Sequence, residues 1–181
     1  MNVFAVNISP TISARQLCDQ HVVKMPTESA QIMNDVLLSL GLEGVCEKFN
    51  PRHTIVIWAA SDPANFLWLA IHGEALCEEY SLRFSKKTTN IPKKHKASEL
   101  IDKAYQIYDD RFNISTGMTD PKNANLIYVG PEEFRVQPTS AGRIPNNTAV
   151  ALSYRNFYCR KKSEFAKWRH TNPPDWYLKN M

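Results

Sequence analysis

The chain has 181 residues, 43% hydrophobic and 22% charged, with a formal net charge of +4. Those proportions exclude a collagen-like or intrinsically disordered chain and predict a single compact domain over residues 1–181. No run of about 18 apolar residues occurs, so no membrane span is expected.

Met1-Asn2-Val3-Phe4 has no basic flank and no long apolar stretch, which argues against a signal peptide. Val3 to Val6 is short and apolar and can enter a core directly. Ser9-Pro10-Thr11 supplies a loop and a helix cap. Apolar residues at Leu17, Val22, Met25, Ile32, Met33, Val36, Leu37 and Leu40 then predict one long helix from about Ser13 to Leu40, ended by Gly41 and Gly44.

Inside that helix, Cys18, His21, Lys24, Met25 and Glu28 fall on one stripe at 3.6 residues per turn. Buried charge is costly unless paired, so the stripe is expected to face a cleft, with Glu28 as acid/base and His21 and Lys24 tuning it. The same spacing fits a solvated helix face with an ordinary Lys24–Glu28 pair. Pro26 lies within the stripe and predicts a bend.

Asn50-Pro51-Arg52-His53 reads as a turn carrying a cation and an imidazole. Thr54 to Ala60 is an apolar run, helix or buried strand, with its helical neighbours favouring helix. Ser61-Asp62-Pro63 opens a central core helix to about Phe84. A further helix is expected from Ser98 to about Tyr108. Arg111 to Arg143, rich in Pro, Gly, Asn and Thr, reads as a long ordered loop, which in a compact domain is usually functional. The last helix is expected from about Thr148 to Trp168, after which Pro173-Pro174 blocks more helix and presents Trp176 and Tyr177. The expected fold is thus mostly α, about four helices with a long loop before the last.

Cys18, Cys46, Cys77 and Cys159 show no paired spacing, which suggests reduced thiols in a cytoplasm. Cys18-x-x-His21 can offer two metal ligands, but no second pair follows, and no metal is expected. Positive charge crowds into Arg83, Lys86, Lys87, Lys93, Lys94, His95 and Lys96, and again into Arg155, Arg160, Lys161 and Lys162. Such clusters fit a polyanion such as nucleic acid, or simply a solvated basic face.

Asp19-Gln20-His21 followed by Glu28, then Pro131-Glu132-Glu133-Phe134-Arg135, Ile144-Pro145, Ala149-Val150-Ala151-Leu152-Ser153 and Pro174-Asp175-Trp176-Tyr177-Leu178-Lys179, resemble the phage pyrimidine-dimer DNA glycosylases of the endonuclease V type. The resemblance implies a compact helical fold, double-stranded DNA as partner, no cofactor, and the host cell cytoplasm as location. It also implies base release followed by strand cutting. The free α-amine attacks the sugar C1′ to give a Schiff base, and a nearby carboxylate manages the protons. An α-amine has a reference pKa of about 7.7–8.0, so part of it is neutral near pH 7.

Carried over residue by residue, the catalytic glutamate falls on Glu28 and the helix histidine on His21. The nucleophile falls on the amine of Met1, or of Asn2 if Met1 is removed. The family's arginines beside the glutamate fall on Thr27 and Gln31, neither of them basic. DNA contacts are therefore expected from Lys24, Arg52, His53, Lys93, Lys94 and Lys96. Two other readings share these residues: an enzyme of the same ancestry acting on a free nucleotide or modified base, and a non-catalytic nucleic-acid-binding protein.

Overall fold

The computed structural model describes residues 1–47, 50–86, 91–139 and 144–180. Lys87 and Arg143, both named above, lie outside them. The chain is mostly α-helical, with seven α-helices and no strand among the described residues. None of these helices is long and apolar enough to cross a membrane.

The expected first helix is two. Helix α1 (Pro10–Gln16) is capped by the Ser9 side chain, and helix α2 (Asp19–Ser39) follows after Leu17 and Cys18, both extended and fully buried. A remote side chain stabilises the break. Arg83 is buried and donates to the carbonyls of Leu17 (2.8 Å) and Arg15 (2.9 Å), which the interrupted helix leaves without partners. Its charge is matched by Asp19 at 3.2 Å and Glu79 at 2.8 Å. Arg83 therefore does not belong to an exposed basic face.

Helix α2 runs through Pro26 and stops where Gly41 takes a positive φ of 72°. Leu42 N–H bonds Leu37 O and Gly41 N–H bonds Leu38 O, a Schellman stop. Thr54–Ala60 is helix (α3), with His53 as its cap. Asp62 accepts from Ala64 N at 2.7 Å and opens helix α4 (Pro63–Phe84), at 115° to α3.

Helix α4 is the centre of the core, in contact with α1, α2, α3 and helix α5 (Ser98–Phe112). Gly73 permits the close approach. A Cβ there would lie 3.2 Å from Ser29 on α2 and 3.2 Å from Ile101 on α5.

The segment after α5 is ordered by its side-chain bonds. Three 3-10 turns interrupt it. Trp58 Nε1 donates to Asn125 O, Asn125 N to Asn65 Oδ1, Val129 N to the Tyr154 hydroxyl, and Val136 N to Ser153 Oγ.

Helix α6 (Asn146–Lys161) ends earlier than expected, and Trp168 packs beyond it as a buried residue. Helix α7 (Asp175–Leu178) begins directly after Pro174. It does not present its aromatics to solvent: Tyr177 is buried, and Trp176 donates to Gln16 Oε1 at 3.0 Å.

Candidate active site

Residues Val3 to Val6 are buried, as their composition requires, and they carry the terminus onto α2. The backbone nitrogen of Asn2 donates to Glu28 Oε2 at 2.9 Å. The Asn2 side chain fixes that nitrogen in place. Its Oδ1 accepts from Val3 N (2.8 Å), Phe4 N (3.3 Å) and the Tyr154 hydroxyl (2.8 Å), while its Nδ2 donates to Val129 O (2.8 Å). Asn suits this turn because its short amide can bond neighbouring backbone. Phe4 has a positive φ of 47°, a conformation that is costly for a bulky residue and persists only when the surroundings enforce it.

The α2 stripe divides at this point. Cys18, His21 and Met25 are buried, Lys24 is exposed, and Glu28 is half-buried. Glu28 Oε1 pairs with Lys24 Nζ at 2.9 Å, so both carboxylate oxygens are engaged, one by an ammonium and one by the backbone amide of Asn2.

His21 turns away from the cleft into an aromatic box. Its ring stacks on Phe4 (centroids 4.3 Å) and meets Tyr158 and Phe165 edge-on, and Nδ1 is hydrogen-bonded to the Tyr158 hydroxyl. Burial, with Lys162 and Lys24 nearby, lowers its pKa to about 3. The Tyr158 hydroxyl also accepts from Cys18 N (3.3 Å), so Cys18 and His21 belong to a packing network.

His53 caps helix α3. Its Nδ1 accepts from Ile55 N at 3.2 Å, which leaves the hydrogen of the neutral ring on Nε2. Its pKa is lowered by burial first and then by the terminal ammonium, with Glu28 and Asp35 opposing. The Met1 ammonium, Glu28 and Asp35 are thus the charges that the ring feels. Arg52 is exposed in the turn before it.

Glu28 opens into a cleft of about 590 Å³ between α2 and residues 94–96. Val23, Thr27 and Gln31 of α2 form one wall, and Lys94, His95 and Lys96 form the other. That second wall is pinned. His95 Nε2 donates to Val23 O (3.0 Å), and its Nδ1 accepts from Ala97 N (3.1 Å), which defines a neutral tautomer; burial lowers its pKa.

Lys93 is held by its backbone to Ser81 and Ser85, and its ammonium lies over the Tyr80 ring at 5.3 Å. It does not line the cleft as Lys94 and Lys96 do. The second basic cluster is partly internal. Arg155 donates to Val6 O and lies over Trp176, and Lys162 sits over Phe4, Phe157 and Phe165.

Sequence reasoning missed Asn2 as a frame, together with Tyr154 and Val129 that hold it. The one signal for it was an Asn beside a buried apolar run. Among the described residues no three His, Cys, Asp or Glu side chains are grouped as a metal site.

A family model described as pyrimidine dimer DNA glycosylase matches residues 1–92, a stretch that contains Asn2, His21, Glu28, Arg52 and His53. The motifs after residue 130 lie outside the match. No curated protein and no solved structure matches the chain.

Proposed function

The chain belongs to the pyrimidine dimer DNA glycosylase family, and from that premise we propose that it releases damaged pyrimidines from double-stranded DNA and then cuts the strand. The nucleophile in this reading is the nitrogen of Asn2, freed as an α-amine by removal of Met1. The observation that carries it is the 2.9 Å contact between that nitrogen and Glu28 Oε2. While Met1 is attached, the nitrogen is an amide and cannot attack. Once freed, it has a carboxylate at hydrogen-bond distance to accept its proton.

The amine lone pair forms a bond to C1′ as the glycosidic bond breaks, its electron pair leaving with the base, which takes up a proton. Glu28 removes the amine proton; the C1′–O4′ bond then opens as the nitrogen lone pair forms the C=N bond, O4′ taking up a proton, and the iminium so formed is the electron sink for strand cutting. His53, whose ring feels the charge of Glu28, would bear on the protonation of the site. His21 supports Phe4 and so the terminus.

Thr27 and Gln31 add no cation to the α2 wall, so phosphate binding falls to Lys24 there and to Lys94 and Lys96 across the cleft. Arg52 would extend this set.

Borohydride reduction on a duplex with one abasic site, read by mass spectrometry, tests the mechanism. An adduct on the nitrogen of residue 2 is expected. Base release without any adduct would replace the Schiff base by a hydrolytic reaction at Glu28. Absence of base release from any damaged duplex would overturn the assignment.

A further inference from the structure

The cleft does not end at Lys24. Its α2 wall continues toward the start of the helix into a second hollow of about 230 Å³, which shares Val23 with the first and is bordered by Gln20, Lys167, Arg169 and His170. Gln20, Val23, Lys24, Thr27 and Gln31 recur at helical spacing, so the two hollows form one groove along a single face of α2. About 12 Å of helix separates Gln20 from Glu28 at 1.5 Å per residue.

The segment bearing these cations is anchored by its main chain and by the buried Trp168, whose Nε1 donates to Gln16 O at 3.3 Å, and not by the cations themselves. Asp19 N donates to Lys167 O at 2.9 Å, and Arg169 N donates to Asp19 Oδ2 at 2.7 Å. The Lys167, Arg169 and His170 side chains are left exposed, and His170 leans on Phe84 at 4.9 Å. The carboxylate in the hollow, Asp19, already has the buried guanidinium of Arg83 at 3.2 Å, so it does not cancel the outer cations.

We propose that Lys167 and Arg169 form a second phosphate-binding site, which holds the DNA strand three to four nucleotides from the damaged position at Glu28. The spacing follows from about 3.4 Å of axial rise per nucleotide on one strand. The site rests on the reading of the Glu28 cleft as a DNA site. It gives the strand a direction along α2, from Lys94 and Lys96 beside Glu28 to the segment that follows α6. Neither cation has an ion-pair partner among the described residues, so nothing must be released before a phosphate binds.

The test uses the full chain carrying Lys167→Ala and Arg169→Ala together; backbone docking on Asp19 survives both, and a thermal melt checks the fold. Binding is measured against salt on three duplexes with a tetrahydrofuran abasic analogue. One is long on both sides, and the others stop two base pairs from the lesion on one side or the other. Relative to wild type, the log–log salt slope should flatten by about 0.9 for each phosphate the variant leaves unneutralised. That flattening should appear on the long duplex and on one of the short ones, and vanish on the other. An unchanged slope on the long duplex, or equal flattening on all three, overturns the second site while leaving the Glu28 cleft intact. A wild-type protein that binds none of the three overturns the cleft reading and this site with it.

Discussion

The ring of Phe4 lies flat on the imidazole of His21, centroids 4.3 Å apart and planes 22° from parallel. With Tyr158 on Nδ1, the histidine becomes part of the wall against which the N-terminal turn is folded.

His21 is accordingly predicted to act by position and not by proton transfer. With a pKa near 3 it stays neutral through the working range. The His21 C2–H resonance should not titrate between pH 5 and 8, and no limb of the pH–rate profile should disappear in His21→Phe. Loss of such a limb would restore an acid/base role.

Glu28→Gln should reduce base release at least about 10²-fold, the low end for a positioned acid/base. Gln keeps an acceptor for Asn2 N, so the melting temperature should barely change. A folded variant with near-native turnover would remove Glu28 from the mechanism.

Lys94→Ala with Lys96→Ala should weaken binding to every duplex and flatten the salt slope by about 0.9 for each phosphate no longer neutralised. Lys93→Ala should do less, because its ammonium is already engaged over the Tyr80 ring, whereas Lys94 and Lys96 line the cleft themselves. Equal effects from all three lysines would mean a diffuse basic surface.

Acid should destabilise the fold through two buried histidines. His72 is fully buried against Trp68, neither ring nitrogen has a partner among the described residues, and burial lowers its pKa to about 3 as with His21. Below pH 6.5 the unfolded chain binds protons that the native state refuses. Stability is therefore complete above 6.5 and falls as pH drops toward 3, by about 1.4 kcal/mol per pH unit for each histidine. Urea unfolding from pH 4 to 7 should show the slope, and His72→Phe should remove one proton's share. An unchanged slope in that variant would assign the loss to other groups.

Local chemistry made the helix starts legible. Asp62-Pro63 and Ser9-Pro10 open helices because their caps and turns depend on adjacent residues. The break at Leu17 and Cys18 was not legible, since the guanidinium that satisfies it comes from Arg83, 66 residues from Leu17. Periodicity placed His21 and Glu28 on one stripe. It could not say that Phe4 and Tyr158 would close over the first and leave the second at an opening. Charge counting likewise found Arg83 and Lys162 without revealing that one is interred and the other roofed by phenyl rings.

The side chain that steadies the Asn2 nitrogen reaches Val129 and Tyr154, both outside the stretch matched by the family model. The shared half of the chain is therefore not modular. An isolated 1–92 fragment would keep Glu28 but lose the two anchors that aim the terminus at it. Substitutions around Val129 and Tyr154 would therefore shift how the Asn2 nitrogen meets Glu28 without touching the carboxylate itself.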